Sequence, residues 1–194
     1  MNAYEHAQRA AQFHKDAMAH HDGFVKDDGG RERAGFKGTT GDCAARALAI
    51  AAQIDYRVAY DLINDVAKYE RRGKRKKGIS NARTGVYGAS MRKLMLALGW
   101  QWVPTMGIGT GCKVHLIADE LPPGRLLVCV SKHYTAVIDG VIHDTYDPRR
   151  EAHCTRPLTP DAPLKPNEWT HDGVMAHHIE RRCVYGYYIK RDTQ

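Results

Sequence analysis

A cysteine at the start of a helical run, and a histidine set against a carboxylate across a hairpin, are the residues whose types and spacing could do chemistry. Cys43 opens an apolar segment, Asp42 to about Gln53 (DCAARALAIAAQ), that reads as a buried helix with Asp42 as its N-cap. At that position unpaired amides and the positive end of the helix dipole stabilise a thiolate. The Cys43 N–H also points toward any oxyanion formed on a bound carbonyl. The competing reading of Cys43 is a small buried hydrophobe. His133 and Asp144 flank Asp139-Gly140, the turn chemistry of a tight hairpin between two β-rich runs, His133–Ile138 and Val141–Tyr146. With Asp139 and Gly140 as the loop, Ile138 pairs with Val141, Thr135 with Asp144 and His133 with Tyr146. Side chains alternate along strands, so His133, Thr135 and Val137 share a face with Ile142, Asp144 and Tyr146. Asp144 is then diagonal to His133, within reach of a histidine–carboxylate hydrogen bond. Asp147 falls on the opposite face and is the weaker partner. A strand histidine paired with a strand aspartate can equally be structural.

The elements that must position these groups follow from periodicity. Leu126–Val130 is a continuous apolar run, expected of a strand buried on both faces. Residues 3–21 read as a helix carrying His6 and His14, with His20 and His21 near its end, and residues 22–41 as a Gly-rich, charged loop. A further helix starts at Asp55 or Tyr56, with Tyr56, Ala59, Tyr60, Ile63, Val66 and Ala67 on its inner face. The basic run Arg71 to Lys77 and the following GISNARTGVYG read as a mobile loop. Another helix runs from Gly88 or Ala89 to Leu98 and is closed by Gly99. Trp100–Val103 is a short strand, Val114–Glu120 a short helix, and Cys183–Lys190 a terminal strand. Gly107–Gly111 lacks the Lys-Ser/Thr of a phosphate loop. Residues 149–181 are polar and Pro-rich without a clear period, an extended surface excursion in which His171, His177 and His178 face solvent.

Composition narrows the class. The chain of 194 residues is long enough for one domain, 1–194, with a sizeable core, residues 1–40 forming an N-terminal helix and loop. No apolar run approaches the roughly 20 residues of a membrane span, and the first residues have no apolar core of a secretory signal, so the expected compartment is the cytoplasm. The five cysteines (Cys43, Cys112, Cys129, Cys154, Cys183) are odd in number, widely spaced and contain no CxxC, which suggests neither a disulfide framework nor a zinc knuckle. No metal or cofactor is expected. The net charge of +7 permits an anionic partner.

The order and spacing of Gly41-Asp42-Cys43 with its helix, His133-Tyr134-Thr135-Ala136-Val137 and Asp144-Thr145-Tyr146-Asp147 resemble the papain-like cysteine peptidase superfamily in its minimal bacterial and phage forms. Bacteriocin-processing, double-glycine-cutting peptidases share the Asp-Cys-helix and His-strand-Asp order. Small phage-encoded proteins of undefined role look alike through GDCxxRALAIA, LGWxWVPTM, IGTGCxVHL and the hairpin, over most of residues 40–148 and the last strand. The resemblance implies an α+β, papain-like fold with N-terminal helices on an antiparallel sheet. It also implies a triad in which Cys43 is the nucleophile, His133 exchanges its proton and Asp144 orients the imidazole. The superfamily often carries a Gln shortly before the nucleophile as second oxyanion donor. Here Lys37-Gly38-Thr39-Thr40 stands there, so Thr39, Thr40, Lys37 or a backbone amide must serve beside Cys43.

Three function classes follow. The leading one is a cysteine hydrolase, peptidase or isopeptidase-like, working through a thioester on a peptide or protein substrate, with a host protein the natural target if the chain is phage-encoded. Amide transfer would use the same triad. The second is a catalytically weak module on the same fold that blocks a host or defence protein. The third is a nucleic-acid binder whose Lys74, Arg75, Lys76 and Lys77 contact phosphates. That run has no interleaved aromatics for base stacking.

Overall fold

In a computed structural model, residues 23–71 and 78–190 are described. The N-terminal helix expected over residues 3–21, with His6, His14, His20 and His21, lies outside them, as do Lys74, Arg75, Lys76 and Lys77 of the basic run. The chain divides into two compact units, and the larger one holds residues 24–148 and the last strand. It is mixed α+β, with three helices packed on a mostly antiparallel sheet. The helices are α1 (Cys43–Ala52), α2 (Tyr56–Lys68) and α3 (Gly88–Ala97). The strands are β1 (Phe24–Lys26), β2 (Trp100–Pro104), β3 (Arg125–Val130), β4 (His133–Ile138), β5 (Val141–Asp144) and β8 (Val184–Lys190), in the order β1-β5-β4-β3-β8-β2. Only β1 against β5 is parallel.

The central strand is buried on both faces for the reason its apolar run implies. Leu127 joins Ala136 and Tyr188 beneath the helices, in a core with Leu48, Ile63 and Met91. Leu126, Val128 and Val130 face the other way, against Val137, Ile142, Leu116 and Leu121. The small residues of α1 let that helix settle closely on the sheet, and Ala45 and Leu48 are fully buried. α1 is fixed at both ends by charge. Arg125, at the start of β3, donates from Nε to Ala51 O at 3.0 Å and from Nη2 to Ile50 O at 2.5 Å, placing a cation on the carbonyls of the last helical turn. At the other end Asp42 does not cap with its side chain, contrary to expectation. Its fully buried carboxylate takes Arg31 Nε at 2.7 Å, the Tyr56 hydroxyl at 2.5 Å and the Arg46 guanidinium one turn along. Three strong donors outcompete one backbone amide.

Three local expectations need correction. The segment 22–41 is not all loop: Phe24–Lys26 forms β1, which a three-residue strand in a Gly-rich context does not announce. Only Ala118–Glu120 of the expected helix 114–120 is helical, as a single 3₁₀ turn. Cys112 and Cys183, 71 residues apart, form a disulfide, where the spacing of the cysteines suggested none. Their nearness comes from the bridge of His115 to Cys183 and the Val184 N–H donated to Val114 O at 2.8 Å, which spacing does not encode.

The second unit contains residues 149–182. The surface excursion expected there carries its own two-stranded antiparallel sheet, β6 (Ala152–Pro157) and β7 (Met175–Glu180). Arg156 grips Glu168 with two nitrogens, at 3.0 and 2.5 Å, and this pairing holds the Glu168 carboxyl down at about 2. His171 is exposed, whereas His177 is half-buried and stacks on Trp169 and His153.

Candidate active site

The hairpin fixes two of the three reactive groups. Asp139 and Gly140 both adopt positive φ (48° and 82°), as a tight two-residue turn requires, and the register is Ile138↔Val141, Val137↔Ile142, Ala136↔His143. A Cβ on Gly140 would lie 2.8 Å from that of Ala118, so glycine is needed there for space as well. This register carries Asp144 to His133: the carboxylate Oδ2 lies 2.6 Å from Nε2, with both side chains buried. The second carboxylate oxygen accepts the Thr145 N–H at 2.7 Å, which holds its orientation. β1 braces β5 from the outside, and Asp27 N–H donates to Asp144 O at 2.8 Å. Asp144, and not Asp147, is the carboxylate on His133. Tyr146 lies against the other edge of the imidazole, its hydroxyl 3.5 Å from Nδ1.

Cys43 stands at the first residue of α1 and lines the same groove as His133, whose side chain acts on the thiol. Asp144 engages Nε2, so proton exchange with the thiol falls to Nδ1, which the Tyr146 hydroxyl also approaches at 3.5 Å. Burial pushes the Cys43 thiol up. The His133 hydrogen bond, the Tyr134 backbone N–H donated to the sulfur, and the charges of His133 and Arg46 more than offset it, and the thiol sits below its ordinary value. His133 shows the opposite balance: burial pulls it down, while hydrogen bonds to Asp144 and Cys43 and their charges lift it to about 9. The two shifts reinforce each other and favour the thiolate–imidazolium pair over the neutral thiol and imidazole. The other free cysteines behave differently. Burial holds the Cys129 thiol above its ordinary value, and desolvation together with Glu180 raises that of Cys154.

The pair opens on a groove of about 660 Å³. One wall is the segment leading into α3, with Ile79, Gly85 and Tyr87, and the first helical residue, Gly88. This segment, expected to be mobile, is pinned: Glu70 accepts the Ser80 N–H at 2.9 Å and the Ser90 hydroxyl, and Asn64 accepts the Ala82 N–H at 3.0 Å. Its glycines border open space: a Cβ on Gly85 would meet nothing within 4 Å, and one on Gly88 only the Tyr134 hydroxyl at 4.0 Å. Across the groove lies Tyr185, thrown out of the ladder by a bulge that pairs Cys129 with Gly186 but Val130 with Val184.

The expected oxyanion donors divide. Cys43 and Ala44, whose amides have no helical acceptor, both line the groove. Lys37, Thr39 and Thr40 do not, and the Thr40 hydroxyl is committed to Arg83 O at 2.6 Å. The groove residues Tyr87, Lys132, Tyr134 and Tyr185 and the anchor Arg46 had no assigned role in the sequence, Gly88 was read only as a helix start, and Asp42 was read as a cap rather than as an ion-pair anchor. The Gly85-Val86-Tyr87-Gly88 turn before α3 and the Arg46 spacing of i+4 from Asp42 are the local signals that pointed to some of them. Comparison with protein-family models, with curated proteins and with solved structures gives no match.

Proposed function

We propose that this chain is a cysteine hydrolase of papain-like fold, cutting an amide bond in a peptide or protein through a Cys43 thioester. The observation that carries this reading is the opposed shift of Cys43 and His133 beside a buried Asp144. The Cys43 thiolate attacks the carbonyl carbon, a C–S bond forms, and the carbonyl π electrons move to oxygen. The Cys43 N–H at the start of α1 receives that oxyanion. Collapse breaks the C–N bond, and the leaving amine takes the proton from His133 Nδ1. Water then attacks the thioester with neutral His133 as base, releasing the acid and restoring the thiolate–imidazolium pair. Asp144 keeps the imidazole oriented and stabilises its cationic form throughout. The glycine-walled groove, with tyrosines to flank a chain, suits an extended peptide.

The test is acid-quenched mass spectrometry of the protein mixed with a peptide amide library. The expected result is an acyl adduct on Cys43 and turnover that Cys43→Ala abolishes while the circular dichroism spectrum is kept. Turnover unchanged in Cys43→Ala would reject the reading.

One observation favours a second reading, a non-catalytic binding module on the same groove. Lys37, Thr39 and Thr40 are absent from the wall. On that reading a partner protein binds wild type and Cys43→Ala alike. Nucleic-acid binding by Lys74–Lys77 remains a separate proposal, tested by whether a salt-dependent shift on RNA or DNA disappears when those lysines and Arg75 are neutralised.

A further inference from the structure

Away from the groove, Cys112, His115 and Cys183 are the one group of three metal-ligating side chains among the described residues: one ligand atom from each lies within 4.8 Å of the others. In the oxidised chain the two sulfurs are bonded to each other. The cluster is built rather than incidental. Cys112 and His115 are separated by two residues, a chelating spacing, and their segment is tied to the start of β8 by the His115–Cys183 bridge. Glu120 fixes the histidine: it accepts the His115 backbone N–H at 2.6 Å, and its two oxygens lie 3.1 and 3.2 Å from Nδ1. With Nδ1 held by a carboxylate, Nε2 is the ligand atom left for an ion. Metal-binding histidines are supported in this way. All three residues are half-buried, so an ion can enter and keep a water in its fourth position.

We propose that in the reduced chain Cys112, His115 and Cys183 bind one zinc ion, with Glu120 as the positioning residue. The same two cysteines then hold either a disulfide or a metal. Two thiolates and an imidazole suit a borderline-soft, tetrahedral ion and suit magnesium or calcium poorly. A dithiol reductant supplies two electrons and two protons to the disulfide and is itself oxidised to a disulfide. Zinc then displaces the two thiol protons, giving two zinc–sulfur bonds and one zinc–nitrogen bond. This departs from the expectation that the chain holds no metal.

The full chain is reduced with a phosphine, stripped with a chelator, and titrated with cobalt and then zinc. The expected result is one cobalt per chain with a thiolate-to-cobalt charge-transfer band, bleached by one equivalent of zinc and undiminished in Cys43→Ser. Glu120→Gln is expected to weaken affinity about 10- to 100-fold. The oxidised wild-type chain, which needs no substitution to fold, is expected to give no band. The proposal is overturned if the reduced chain shows no thiolate band. It is equally overturned if the band survives in the Cys112→Ser, Cys183→Ser variant, disappears in Cys43→Ser, or appears at equal strength in the oxidised chain.

Discussion

His133 carries the largest consequence for a single residue. Its imidazole sits at about 9 against an ordinary 6.5, so its contribution to stability is fully present below about pH 6.5 and is lost as pH rises through about 9. Cys43 is shifted down, so its contribution is present at high pH and is lost as pH falls through its lowered value. Urea midpoints from about pH 6 to about pH 10 are expected to fall at the alkaline end in wild type, with a smaller fall in His133→Ala. An equal fall in both would show that another group is responsible. Asp144→Ala is expected to lower kcat/KM on an amide substrate by on the order of a hundredfold or more, because alanine offers no acceptor to the His133 Nε2 and no longer orients the imidazole. These three residues were legible because each signal was local: Asp139-Gly140 fixes the hairpin register, and Asp42-Cys43 precedes an unbroken apolar helix. Lys37, Thr39 and Thr40 were misleading because their candidacy rested on nearness in sequence to Cys43. The loop carries them elsewhere, and Thr40 is spent on Arg83.

At the scale of elements, the start of α1 is held by Asp42 and its partners Arg31, Arg46 and Tyr56. Asp42→Ala strands two guanidinium groups around a fully buried site, and a loss of about 3–5 kcal/mol is expected in urea unfolding. Because the same pairing sets where Cys43 points and where Arg46 places its charge, the variant should also slow Cys43 alkylation under conditions where it remains folded. At the opposite sheet edge, Gly186 lies against β2: a Cβ there would meet the Trp102 ring and come within 2.7 Å of Val103 O. Gly186→Ala is expected to cost about 1–3 kcal/mol by overpacking, read as a lower denaturation midpoint, and to disturb the neighbouring Tyr185 bulge. The helices and β2–β5 were readable from their periods because each buries one or both faces. The bulge at Tyr185 and the pinned segment before α3 were not, since both depend on partners far away in sequence, Cys129 and Glu70.

For the whole molecule, the Cys112–Cys183 link joins two residues of the larger unit and closes a 71-residue loop that contains residues 149–182 of the second unit. Reduction in the presence of a chelator is expected to lower its stability by about 2–4 kcal/mol, measured by denaturant unfolding. No helix among the described residues is long and apolar enough to cross a membrane. The reactivity assigned to Cys43 is itself a property of the folded molecule, since His133 and Asp144 reach it only through the sheet and α1. The most direct test alkylates the native chain with limiting iodoacetamide across pH, maps the modified cysteines, and repeats the reaction in urea and in His133→Ala. Preferential labelling of Cys43 below neutral pH is predicted, over Cys129 in the same groove and over Cys154, with the preference lost in urea and in His133→Ala. Labelling of Cys43 no faster than that of Cys129, or a preference that survives His133→Ala, would contradict the thiolate–imidazolium pair and with it the proposed chemistry.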